Sequence, residues 1–235
     1  MNADEGAEPA RQIRKRGYQK KVSLISGTKM RDVSQAESML EGTIAAAAEV
    51  DPRVTKIEFQ PLTFDLNTGR AYASKKKMFE TLSEQGYKPW AYTPDFRLTL
   101  ANGEKLLVEG KARRWLDAHP RFELVIETVH KLGHRLMLIT DEMFSDESTR
   151  ALRTLKPHVA QAPDVAAIAK IKAHLELGPA EFRRLLEATG TSQRDLFGAI
   201  ISGAAVFDPI STPLRPSTLI SPGTGELDHL KVLPI

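Results

Sequence analysis

The chain of 235 residues contains no cysteine, so disulfides and thiolate metal sites are excluded and any metal must be held by oxygen or histidine. No apolar run approaches the length of a membrane span, and the opening residues are acidic and then basic around no apolar core. A cytoplasmic protein with no membrane partner is expected. Internal repeats and long low-complexity tracts are also missing. Histidine offers little: His130 and His134 are spaced i,i+4, but Gly133 falls between them and no third ligand is evident, so zinc is not expected. A large charge excess is absent too. The net charge of +3, with a pI near 9.0, suits nucleic acid without establishing it.

What is present is an ordinary globular composition, 41% hydrophobic and 27% charged, on a chain long enough for one or two domains with a real core. Charge is unevenly placed. Asp4, Glu5 and Glu8 are followed by Arg11, Arg14, Lys15, Arg16, Lys20 and Lys21 without apolar periodicity. Residues 1–30 therefore read as a flexible basic arm, which either neutralises phosphates or is simply a solvated end.

Helical spacing of apolar and small residues predicts a helix over 32–50, with Ser34 or Ser38 near its start and Glu41 inside it. A β-rich run over 54–66, interrupted by Gln60 and Pro61, predicts a strand that ends or bends there, followed by a turn at Asn67, Thr68 and Gly69. A helix over 75–85 opens on three lysines and closes on Gly86 as a left-handed cap. Strand-like runs over 90–100 and 105–111 flank Asn102 and Gly103, a strong hairpin signal. A helix over 120–132, a buried strand over 135–140 and a helix from about 145 to 155 follow. This order predicts an α/β domain, a mixed sheet with helices on its faces. The pattern breaks between 156 and 164. Helices expected over 165–175, 179–188 and 192–202, then an extended tail over 204–220 with several prolines, suggest a small, mainly helical, winged-helix-like domain. The expected division is 1–30 for the arm, 31–160 for the sheet domain and 161–235 for the helical one.

Cutting a phosphodiester requires a divalent cation to neutralise the pentavalent oxygens, a positioned water and positive charge near the phosphate. Magnesium is held by one or two carboxylates plus water and phosphate oxygen. Pro94-Asp95 and Glu109-Gly110-Lys111, on successive strands of one hairpin, can form such a set. Alternation along the strand puts Glu109 and Lys111 on one face and turns the small Gly110 away. A strict two-residue Asn-Gly turn, however, sets Ala101 opposite Glu104 and hence Asp95 opposite Gly110, on the wrong face. A bulge, a three-residue loop or a bend near Pro94 is therefore predicted. From the residues alone, Glu109 and Lys111 also fit a strand-end salt bridge, and Glu41 a solvated helix position. Lys75, Lys76, Lys77, Arg113, Arg114 and the adjoining Trp115 are candidate nucleic-acid phosphate contacts or plain solvated surface.

The segments Ser38-Met39-Leu40-Glu41, Phe59-Gln60-Pro61-Leu62, Tyr92-Thr93-Pro94-Asp95-Phe96 and Val108-Glu109-Gly110-Lys111, in this order, resemble the TnsA-type endonuclease subunit of heteromeric cut-and-paste transposases, within the PD-(D/E)xK nucleases. The likeness covers residues from about 30 to 140. It implies a restriction-endonuclease-like core with Glu41, Asp95 and Glu109 as ligands to Mg2+, or Mn2+ in its place, and Lys111 as the catalytic lysine. It further implies a bacterial protein that nicks the 5′ ends of a mobile element in double-stranded DNA. A separate DDE transposase would cut and join the 3′ ends, and an AAA+ regulator would select the target. The second domain is similar in helix order and wing-like tail, either as a DNA binder or as a docking site for the regulator. Two other readings stand beside this one: a restriction or phage nuclease using the same four residues, and a non-cleaving scaffold that binds DNA or partners.

Overall fold

The structure, a computed structural model, describes residues 23–82 and 86–235. The basic cluster from Arg11 to Lys21 lies outside the described residues. The described chain divides into two compact units, one of residues 23–26, 30–41 and 56–141, the other of 27–29, 42–55 and 142–235. Residues 142–160, which the sequence grouped with the sheet, thus cluster with the carboxy-terminal helices.

The first unit begins with β1 (Ser23–Ile25) and β2 (Ser34–Ala36), then takes residues 39–41 of α1 (Met39–Val50) and residues 56–59 of β3 (Val54–Phe59). Next come β4 (Thr63–Asp65), β5 (Arg70–Tyr72), α2 (Lys75–Leu82), β6 (Ala91–Tyr92), β7 (Phe96–Leu100) and β8 (Lys105–Lys111). It ends with α3 (Arg113–Ala118), α4 (Phe122–Lys131) and β9 (Leu136–Thr140). Two sequence expectations need correction here. The first helix starts at Met39 rather than near residue 32, because 34–36 are drawn into antiparallel pairing with Ser23–Ile25. That pairing also gives the last part of the expected arm a fixed conformation. The expected strand over 90–100 is broken at Thr93, Pro94 and Asp95, and its halves join different sheets. Arg113, Arg114 and Trp115, the candidate phosphate contacts, lie on a short helix.

The main sheet has the order β3-β7-β8-β9, with β7 antiparallel and β9 parallel to β8. It is a mixed sheet, and the parallel pair requires a crossover, which α3 and α4 supply. Phe96, Leu98 and Leu100 are buried at alternate positions of β7, whereas β8 is buried continuously from Leu106 to Gly110, as a strand covered on both faces should be. On α4, Phe122, Val125, Ile126 and Val129 recur at i, i+3, i+4 and i+7 and pack with Phe64, Leu66, Tyr92, Leu107 and Leu136. A second sheet, β5-β4-β6, carries Tyr92 opposite Phe64.

The hairpin between β7 and β8 pairs Phe96 with Val108 and Thr99 with Lys105. Leu100 N–H donates to Glu104 O and Gly103 N–H to Leu100 O, both at 2.8 Å, so Ala101, Asn102 and Gly103 form a three-residue loop. Gly103 takes φ 85°, the left-handed conformation that closes such a loop and favours glycine.

The second unit holds the rest of α1 and then α5 (Asp146–Leu155), α6 (Val165–Leu175), β10 (Ala180–Glu181), α7 (Phe182–Thr189), α8 (Gln193–Ile201), β11 (Ala205–Val206) and β12 (Leu219–Pro222). The helix expected over 179–188 starts three residues later, because Ala180 and Glu181 pair with β12. Ser192 and Asp195 cap α8 reciprocally, and Gly190 ends α7 in the left-handed region. Helix α6 packs against α7 and α8, burying Ile171, Leu175, Leu185 and Leu196, and a small antiparallel sheet runs β10-β12-β11. Asp51 is fully buried, bonded to the Arg53 guanidinium and accepting Leu233 N–H. Among the described residues no helix is long and apolar enough to cross a membrane.

Candidate active site

Carried one residue back from Phe96↔Val108, the hairpin register sets Asp95 against Glu109 on a shared face. Of the three predicted ways to restore that face, the chain uses the three-residue loop. Asp95 follows the strand break at Pro94 and is pinned from two directions. Its Oδ2 accepts Gly110 N–H at 2.9 Å, and its carbonyl accepts Gln60 N–H at 2.8 Å.

Glu109 is 3% exposed, and a carboxylate there is costly unless its oxygens are paired. Its Oε2 accepts the Tyr92 hydroxyl at 2.9 Å, while Oε1 is ion-paired with Lys111 Nζ. That same Nζ lies 3.9 Å from Asp95 Oδ2 and 5.6 Å from the centre of the Trp115 ring. Lys111 thus touches both carboxylates.

The electrostatics follow from this crowding. Burial, and then the Glu109 charge, push the Asp95 carboxyl up to about 7. Burial also raises Glu109, against the pull of Lys111. For Lys111, burial alone would lower the ammonium, but Glu109 and Asp95 outweigh it and leave the group raised. It remains a cation at neutral pH.

Glu41 lines the same cleft as Asp95 and Lys111 and is bonded at the start of its own helix. Ser38 Oγ accepts Glu41 N–H at 3.1 Å and donates to Glu41 Oε1 at 3.0 Å, and Oε2 accepts Glu37 N–H at 2.7 Å. This is a variant of the capping box at the start of α1, with the glutamate on the N–H one residue before Ser38, legible in the sequence as Ser-x-x-Glu. Burial, and then the Asp95 charge, raise the Glu41 carboxyl, so the two groups sense each other.

A cleft of about 720 Å³ is lined by Glu41, Gln60, Asp95, Lys111, Arg114 and Trp115, among others. Of the expected phosphate contacts, Arg114 is exposed on this cleft. Arg113 ion-pairs with Asp117 at 3.3 Å and gives its N–H to Asp141 Oδ1 at 2.8 Å. Lys75, Lys76 and Lys77 are exposed on α2, outside the cleft lining, with Lys76 and Lys77 at 3.7 and 3.9 Å from Glu80.

No protein-family model and no curated protein matches the chain. The site's own geometry therefore carries the functional reading.

Among the described residues no three His, Asp or Glu side chains are grouped to hold a metal ion. The Asp95–Glu109 pair is the available donor set. Two hard carboxylates, Asp95 lining the cleft and Glu109 buried beside it, fit magnesium or manganese, whose remaining positions would be filled by water and substrate oxygen. The oxygens of Glu41 are turned to the start of its own helix.

Sequence reasoning gave no role of their own to Tyr92 and Asp141, and read Trp115 as a candidate phosphate contact and Gln60 as a strand break. Tyr92 and Trp115 contact Glu109 and Lys111, Asp141 caps α3 from the end of β9, and Gln60 stands in the left-handed region at φ 41° beside Asp95.

Proposed function

We propose that the chain is a magnesium-dependent DNA endonuclease of the PD-(D/E)xK type, on a restriction-endonuclease-like fold, with Glu41, Asp95, Glu109 and Lys111 carrying the chemistry. The observation that supports it most is Asp95 standing against the buried Glu109 with the Lys111 ammonium on both, Asp95 and Lys111 lining a cleft. Structural economy alone does not favour two repelling carboxylates at the end of an apolar strand.

A bound divalent cation supplies charge to offset the phosphate and makes its water more acidic. The chain does the remainder. Asp95 and Glu109 present oxygens along one face, and Lys111, held as an ammonium, sets positive charge beside the scissile phosphate and orients the attacking water rather than taking its proton. As the water oxygen bonds to phosphorus, one ester P–O bond breaks; the departing oxygen gains a proton and the water loses one to solvent. Arg114 meets the strand at the cleft, with Arg113, Lys75, Lys76 and Lys77 as outer contacts to backbone phosphates.

The narrower reading is a TnsA-type subunit that cuts the 5′ ends of a transposon in the bacterial cytoplasm, with a DDE transposase and an AAA+ regulator as partners. Its support is the order of the Ser38, Gln60, Asp95 and Glu109 segments along the chain. In the second unit the order α6, β10, α7, α8, β11, β12 and the sheet order β10-β12-β11 support a winged helix, with Gln193 and Arg194 exposed at the start of α8.

The test is Mg2+-dependent nicking of transposon-end duplex with the partner transposase present. Asp95→Ala and Lys111→Ala should each lower cleavage about 100-fold or more while leaving the circular dichroism spectrum unchanged. Cleavage retained by both variants would overturn the reading. A non-cleaving scaffold gains from one observation, the engagement of both Glu41 oxygens in capping; metal-dependent cutting by the wild type excludes it.

A further inference from the structure

Glu109 is held from behind by a residue outside the carboxylate and lysine set. Tyr92 is buried at the end of β6, opposite Phe64 on β4. Its ring lies parallel to Phe64 at 6.5 Å and edge-on to Phe122 at 6.2 Å, so two aromatic neighbours fix where the phenol points. It points at Glu109, and the hydroxyl donates to Oε2 at 2.9 Å. The other oxygen, Oε1, is the one that meets Lys111, which in turn reaches Asp95.

The two oxygens of Glu109 therefore have separate duties. The carboxylate torsion of a glutamate is broad and roughly two-fold, and the Tyr92 hydroxyl adds to the Lys111 ammonium and the Asp95 backbone N–H a third hold, on the oxygen that Lys111 leaves. At 3% exposure, water is poorly placed to supply the missing donor. We propose that Tyr92 is a positioning residue: by committing Glu109 Oε2 it presents Oε1, beside Asp95, to a divalent cation. The inference rests on the cation site of the nuclease reading and adds the device that preorganises it.

A suitable control exists in the same unit. The Tyr87 hydroxyl donates to Asp65 Oδ2, also at 2.9 Å, on a carboxylate that is fully buried and otherwise bonded to turn and backbone groups. Mn2+ binding to the full chain, read by calorimetry and by the loss of the free-ion electron paramagnetic signal, separates the two cases. Tyr92→Phe keeps the ring and should weaken Mn2+ binding about 10-fold or more. Tyr87→Phe should leave Mn2+ affinity within about twofold, although it too removes a phenol–carboxylate bond from the fold. Equal Mn2+ affinity in wild type and Tyr92→Phe overturns the inference and leaves the nuclease reading standing. Equal weakening in both variants reduces Tyr92 to a structural part and also overturns it. Absence of Mn2+ binding by the wild type removes the cation site and, with it, both proposals.

Discussion

Asp95 faces Glu109 because the hairpin joining them turns on three residues, the last of which is Gly103 at φ 85°. Open space surrounds that glycine, so an added methyl group meets nothing and only the backbone conformation is penalised. Gly103→Ala should cost about 1 kcal/mol and lower the melting temperature by about 2–4 °C with cleavage retained. Deleting Gly103 is a different experiment. A two-residue turn sets Asp95 against Gly110 and reverses the faces of Phe96, Leu98 and Leu100, so both the thermal transition and cleavage should collapse.

Acid–base behaviour gives a second prediction. Asp95 is pushed up to about 7 from an ordinary 3.8, so the folded protein prefers its protonated form. A raised carboxyl contributes stability that is fully present below the unfolded value and is lost as pH rises through the folded one. With chelator present, melting temperature should therefore fall between about pH 4 and pH 7, and Asp95→Asn should flatten that fall. Divalent cations require the ionised form, so Mn2+ affinity should rise over the same interval. A wild-type profile as flat as that of Asp95→Asn would sink the assignment.

Much of this arrangement was legible in the chain. Strand β8 and helix α6 have the limits that alternation and helical spacing predicted, and the parity of side chains along a strand was enough to demand an altered hairpin loop. What sequence could not supply was partner-dependent. Residues 34–36 look helical by local spacing and become a strand only because 23–25 lie beside them. Tyr92 and Trp115 acquire their contacts through Phe122, which touches both rings from a helix some thirty residues beyond Tyr92 in one case and seven beyond Trp115 in the other. No local pattern encodes such a meeting. The Ser-x-x-Glu cap, by contrast, was in plain view and gives Glu41 a structural duty beside the chemical one proposed for it.

That double duty can be split. Glu41→Gln preserves the capping geometry, because glutamine also serves at this position, but removes the charge. It should hold the melting temperature of the wild type and lose cleavage. Ser38→Ala should do the reverse, costing about 1 kcal/mol of stability with cleavage reduced far less. Full activity in Glu41→Gln would confine Glu41 to the cap.

Gln60 combines two unfavourable features, a left-handed backbone at φ 41° and a buried Oε1 with no hydrogen-bond partner. Gln60→Gly relieves both while keeping the N–H that bonds Asp95, and the gain exceeds the added freedom of glycine in the unfolded chain. Chemical denaturation should show a stabilisation of about 1 kcal/mol. A destabilised variant would mean that the side chain is satisfied in solution.

Strand β8 runs into α3 with Ala112 alone between Lys111 and Arg113, and Asp141 ties the helix start to the end of the neighbouring strand. The backbone positions of Lys111 and Arg114 are therefore tied to one another, three residues apart across the strand-to-helix junction. On the nuclease proposal, a duplex entering the cleft would meet these two charges at a set place along its backbone, a contact with phosphates that reads no base.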